Sequence, residues 1–182
     1  MNSWGGGVAA SRHGYAAAMG DELQAPRRTH QRGTIRMSHA EVDAFLHERH
    51  TLTMCTMGAD GSIHAVAMWY GFLDGALAVE TKAKSQKVRN LHRDPRMTCL
   101  VEAGERYEEL RGVELVGRAE LVEDPERLWD VGVSVFGRYV RPYTEERRST
   151  VQAMLRKRVA VLLHVERVVS WDHRKLPGPP PP

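Results

Sequence analysis

Ala76-Leu77-Ala78-Val79-Glu80-Thr81 runs straight into Lys82-Ala83-Lys84-Ser85-Gln86-Lys87-Val88-Arg89-Asn90-Leu91, and the junction between the two decides the fold. The first six residues begin with an apolar run and have the length of a strand. The next ten hold three lysines and an arginine, with Val88 and Leu91 as their aliphatic anchors. That pattern predicts a short surface helix over 82–91, stopped at Asp94-Pro95 because proline disfavours helical geometry in the residue before it. A strand end feeding a helix start brings together free backbone N–H groups, hydroxyls and cations, the combination that phosphate binding needs. On composition alone the run fits a solvated basic helix at least as well.

Working outward, Thr51 to Met57 is rich in β-formers, Gly58-Ala59-Asp60-Gly61 is turn chemistry, and Ser62 to Phe72 continues as a second strand, so this part reads as a hairpin. Asp74-Gly75 then turns into Ala76 to Thr81, which makes an antiparallel meander of three. Met97 to Glu102, Val113 to Val122, and Val159 to Val165 with Val168 to Trp171 supply further strand material. Ser38-His39-Ala40-Glu41 has the form of a capping box ahead of Val42, Phe45 and Leu46. Helices are also expected after Asp124-Pro125-Glu126 and from Thr144 to about Arg156. The expected class is mainly β (α+β): about six antiparallel strands with peripheral helices, closed into a barrel because closure removes edges. No βαβ alternation and no G-x-G-x-x-G occurs, which disfavours a Rossmann-type domain.

The net charge is +3, and residues 1–36 hold five arginines against two acids. The remainder is therefore neutral, which argues against a nucleic-acid partner and favours a local anionic ligand at the basic junction. Residues 1–36 show no apolar periodicity and read as a disordered extension, with Met37 as a candidate start, and Pro177 to Pro182 reads as an extended tail. Neither a secretory signal nor an apolar run long enough to span a membrane is present, and Cys55 and Cys99 lack metal-type spacing. A cytoplasmic protein with buried thiols is the expectation.

Ala67-Met68-Trp69-Tyr70, Val79-Glu80-Thr81, Lys87-Val88-Arg89-Asn90-Leu91-His92-Arg93-Asp94-Pro95-Arg96 and Val116-Gly117-Arg118-Ala119-Glu120-Leu121 follow one another in an order and spacing that carry a resemblance. From about Ser38 to Leu176 the chain resembles the pyridoxamine 5'-phosphate oxidase-like, FMN-binding split β-barrel superfamily. It is most similar to the actinobacterial branch that uses the deazaflavin coenzyme F420. Ser170-Trp171-Asp172-His173-Arg174-Lys175-Leu176 is similar to the end of an uncharacterised mycobacterial subgroup.

The resemblance implies a six-stranded split β-barrel and a homodimer with two cofactor sites at the subunit interface, each phosphate held by the segment after the third strand. Position by position, Lys87 matches the phosphate-binding lysine, and Ser85 and Thr81 match polar contacts. Lys82, Ala83, Lys84 and Gln86 complete the segment, and Trp69 with Met68 lies on the strand flanking the ring. Members often carry a second basic residue at the position of Gln86 or Ser85, where this chain has none; Lys82 and Lys84 are candidates to compensate. Tyr107, on the connection between two strands, is a candidate for lining the site from the partner subunit, and equally a packing residue.

The implied activity is hydride transfer between F420 and an unidentified organic small molecule, with FMN as the alternative cofactor. A non-catalytic protein holding a cofactor, tetrapyrrole or fatty acyl ligand is the reading from another class. A true pyridoxamine-phosphate oxidase is disfavoured, because those enzymes carry a longer Arg- and His-bearing C-terminal part. The nine histidines form no metal motif, Trp129, Val133 and Phe136 read as core or dimer contacts, and Glu145 to Arg148 as a solvated face. Asp172-His173 is weighed as a proton donor and, more readily, as a pin for the C-terminus.

Overall fold

The structure, a computed structural model, describes residues 31–48 and 50–177. Residues 1–30, most of the expected extension, and the end of the proline run lie outside the described residues. Gln31–Ile35 (α1) is a short helix, and the carbonyl of Arg36 accepts from Lys175 Nζ at 2.8 Å. The last residues of the expected extension therefore belong to an ordered segment. The capping box forms as written: Ser38 Oγ accepts from the Glu41 amide, Glu41 reaches back to the Ser38 amide, and His39–His47 (α2) follows.

Seven strands form one antiparallel sheet among the described residues: β1 (Leu52–Met57), β2 (Ile63–Met68), β3 (Gly71–Leu73), β4 (Ala76–Lys82), β5 (Arg96–Ala103), β6 (Arg111–Val122) and β7 (Arg158–Asp172). Their order is β2-β1-β5-β6-β7-β4-β3. The expected strand over 62–72 is thus two strands, and the expected meander of three is broken in the middle. Trp69 and Tyr70 carry the chain from one edge of the sheet to the other. In a flat sheet those edges would stand roughly 29 Å apart. The three Cα steps from Met68 to Gly71 span at most about 11 Å. The sheet must curl until its edges meet, and this closure makes the split barrel.

Tyr70 seals that seam. It is fully buried, its hydroxyl donates to the Leu46 carbonyl at 2.8 Å, and its ring lies under the Arg138 guanidinium. The interior is filled by the alternate residues of the strands, among them Leu52, Met54, Leu77, Val79, Cys99, Val101, Leu115, Val161 and Leu163. A second cluster joins the outer side of β4 and β7, through Ala78, Ala160 and Leu162, to Val131 and Val135 of α4 (Pro125–Tyr139). Gly71 lets α4 approach, since a Cβ there would stand 2.5 Å from Ser134 Oγ.

The two strand segments expected over 159–171 are one long strand with a bulge. Val116 pairs with Arg167 but Gly117 with Val165, so Glu166 is the extra residue. The helix expected over 82–91 begins later, as Gln86–Arg93 (α3), because residues 83–85 form a turn anchored elsewhere in the chain. The last helix is α5 (Arg148–Leu155), preceded by a 3-10 turn over Glu145–Arg147.

At the bulge a Cβ on Gly117 would meet the His164 carbonyl oxygen at 2.0 Å, a backbone atom that cannot step aside. Gly117→Ala is expected to destabilise the fold by about 2 kcal/mol or more, read as a lower urea midpoint. An unchanged midpoint would mean that the bulge tolerates a side chain.

Candidate functional site

β4 leaves the sheet at Thr81-Lys82 because the chain there is drawn toward the start of β7. The Ala83 amide donates to the Lys157 carbonyl at 3.0 Å, and the Ser85 amide to the Lys82 carbonyl at 2.9 Å. This turn sets Ser85 as the N-cap of α3 with extended backbone, yet its side chain makes no capping bond. Ser85 Oγ is instead buried with no partner among the described residues. Lys87, the second residue of α3, donates from Nζ to Thr81 Oγ1 at 3.2 Å. Thr81 is buried. The Lys87 pKa is pushed down from its ordinary value, first by burial and then by the charge of Arg158.

The other face of α3 is structural. Asn90 is fully buried and donates from Nδ2 to Thr56 Oγ1 of β1 at 3.0 Å, while its Oδ1 accepts from Gln86 Nε2 at 2.8 Å. Gln86 also accepts from Arg89 through Oε1. This fixes the helix against the barrel and consumes the Gln86 side chain. Gln86 and Asn90, with the β1–β2 turn at Gly58 to His64, line an open cleft of about 440 Å³. A neighbouring groove of about 280 Å³ on the outer face of the sheet is lined by Cys55, Met57, Ile63, Thr98 and Val116. Ile63 belongs to both.

Thr81, Ser85 and Lys87 are therefore brought together, with Lys82, Ala83 and Lys84 forming the turn beside them. Lys82 and Lys84 are exposed, and Lys82 Nζ reaches only the Arg156 carbonyl, at 3.4 Å. Met68 and Trp69 are not part of this cluster within one protomer. They sit at the other end of β2 from Ile63, Trp69 half-exposed and stacked face to face on Tyr139 with centroids 4.9 Å apart. Tyr107 lies on the β5–β6 connection, exposed and edge-on to His173. His173 Nδ1 bonds the Tyr107 carbonyl at 2.8 Å, whereas Asp172 is held by Arg174 through Nε at 2.8 Å and Nη2 at 2.6 Å. The two neighbours have separate partners and do not form an acid–base pair. Arg158, which the linear pattern did not mark, is paired with the buried Glu80 and close enough to Lys87 to bear on its pKa. Burial raises the Glu80 pKa, and Arg158 opposes that rise.

A desolvated cation, a buried unpartnered hydroxyl and an uncapped helix start suit an anion with several acceptor oxygens. Among the described residues no group of three or more His, Cys, Asp or Glu is arranged to hold a metal ion, and no helix is long and apolar enough to cross a membrane. The family model for pyridoxamine 5'-phosphate oxidase matches residues 38–172. The chain belongs to the pyridoxamine 5'-phosphate oxidase family.

Among solved structures in this family's fold, the conserved hypothetical protein Rv2991 from Mycobacterium tuberculosis is 50% identical over 85% of this chain and 98% of its own, with a TM-score of 0.78. An F420 reductase shares the fold at 23% identity and a TM-score of 0.54, over 69% of this chain and 94% of its own. So does HutZ, the heme storage protein from Vibrio cholerae, at 20% identity and 0.57, over 72% and 93%. Among curated proteins nothing matches the chain.

Because Ser85 Oγ neither caps α3 nor finds another partner, Ser85→Ala is expected to leave the ligand-free stability unchanged or raise it by up to about 1 kcal/mol in urea unfolding. A clear loss of stability would show that the hydroxyl is engaged in the fold.

Proposed function

We propose that this member of the family is a homodimeric oxidoreductase that binds a phosphate-bearing, flavin-type cofactor at the start of α3 and transfers a hydride to or from a small organic substrate. The observation that carries the reading is the buried Thr81, the buried Ser85 hydroxyl and the half-buried Lys87 brought together at a strand-to-helix junction, in a chain of this family. The cofactor, when bound, supplies the hydride chemistry at its ring. The chain's own work is placement. Lys87 neutralises the phosphate, the Ser85 and Thr81 hydroxyls and the first amides of α3 orient it, and burial strengthens each contact by keeping water out.

F420 is the preferred cofactor over FMN on electrostatic grounds. Lys82, Lys84, Arg156 and Lys157 are exposed around the junction, and none has a carboxylate partner among the described residues. A cofactor whose side chain continues past its phosphate into carboxylates neutralises this corner better than one ending at the phosphate. Fluorescence titration of the purified protein with F420 and with FMN tests the choice. Tighter binding of F420 is expected; a yellow protein that binds FMN and ignores F420 would reverse it. In either case Lys87→Ala should weaken the bound cofactor by about 1–3 kcal/mol, and unchanged affinity would place the grip elsewhere.

The homodimer reading rests on the outer face of the sheet. Ile63 is 70% exposed, Trp69 48% and Val169 37%, all on strands or strand ends with their apolar sides outward. Such a face needs a cover, and a second copy supplies one of matching size. Ile63→Glu is expected to shift the protein to monomers in light scattering without unfolding it. A wild-type monomer at tens of micromolar would remove the dimer from the proposal.

A further inference from the structure

Arg158 stands beside the phosphate junction with more hydrogen-bonding capacity than the fold uses. The β4–β7 register sets it opposite Lys82, with Ala160 opposite Glu80. From there Nη1 donates to the Glu80 carboxylate, a pairing that leaves most of a five-donor fork unspent. Nε is buried with no partner among the described residues. Ser85 Oγ, on the turn that the Lys157 carbonyl anchors, is in the same condition. Two unpartnered buried polar atoms at one junction point to a shared acceptor that the described residues do not supply.

The local charge agrees with this. Arg158 lies close enough to Lys87 for its charge to help lower the lysine pKa, and among the described residues Glu80 is the one carboxylate paired with either. Two close cations sharing a single partner repel unless an anion joins them. Gln86 cannot supply a second cation there, being neutral and tied to Asn90 and Arg89.

Resting on the phosphate reading above, we propose that Arg158, contributed by β7, is the second cation of the phosphate site in place of residue 86, and that Glu80 is the positioning residue that holds its guanidinium ready. The rival account is that Arg158 only neutralises a buried Glu80. The two differ in what remains when both charges are removed.

The measurement is the phosphate increment, the affinity of a phosphate-bearing cofactor divided by that of its phosphate-free counterpart. The probe pairs are FMN with riboflavin and F420 with its phosphate-free deazaflavin riboside, titrated by fluorescence against the full chain as wild type, Glu80→Gln, Arg158→Gln and the double variant. The increment is expected to rise in Glu80→Gln, to fall about tenfold in Arg158→Gln, and to stay about tenfold below Glu80→Gln in the double variant. Arg158→Gln strands a buried carboxylate and is the variant at risk of misfolding. The double variant faces two neutral amides, so its comparison with Glu80→Gln decides the matter alone. Equal increments in those two would overturn the proposal and leave the phosphate reading standing. A wild type with no increment for either pair would remove the phosphate reading and this inference together.

Discussion

The structure depends on a two-residue seam. Trp69 and Tyr70 join strands at opposite edges of a seven-stranded sheet, so the chain cannot fold flat and remain connected. Closure is then a covalent constraint rather than a preference, and the remaining packing serves to hold it shut. Tyr70 fills the seam, Tyr139 Oη accepts from its amide, and Arg138 covers its ring while bonding the Leu46 and Glu48 carbonyls at the end of α2. One cation–aromatic contact thus ties α2, the seam and α4 together, which is why α4 sits on this side of the barrel.

Closure also builds the basic junction. With the sheet curled, β4 pairs with β3 on one side and with β7 on the other, and the start of β7 arrives beside the end of β4. The Lys157 carbonyl then fixes the turn that aims α3, and Arg158 comes to rest on Glu80. Lys157 holds a left-handed backbone conformation, φ 59°, at this corner, a strain that non-glycine residues accept only where the surroundings impose it. The surroundings here are the two strands of the closed barrel.

Much of the fold was legible in the sequence because its signals are local. The capping box at Ser38, the turn at Gly58 to Gly61 and the Asp124-Pro125 helix start each announce themselves within a few residues. The break at Trp69-Tyr70 did not, because both residues are good β-formers and nothing nearby says that the chain changes edges. The start of α3 was placed four residues early for a related reason. Lys82-Ala83-Lys84 has helical composition, and what denies it helical form is a hydrogen bond to Lys157, far along the chain. Of the candidate site, Lys87, Ser85 and Thr81 could be named from a short segment and the family resemblance it carries. Arg158 could not, since its nearness to Lys87 exists only through strand register.

The charge distribution adds a last step. The sequence past residue 36 is neutral overall, yet Lys82, Lys84, Lys87, Arg156, Lys157 and Arg158 crowd one corner with Glu80 as the carboxylate paired among them. Exposed charges repel only weakly across water, so the four outer ones burden the fold little. Lys87 and Arg158 are different, because they are half-buried and their repulsion is less screened. The pairing with buried Glu80 accounts for Arg158, but its closeness to Lys87 adds a repulsion that the fold does not need. The arrangement stores unfavourable electrostatics in the ligand-free protein, and on the proposed phosphate reading an anion entering between the two cations would relieve it, so that binding would gain what the fold gave up.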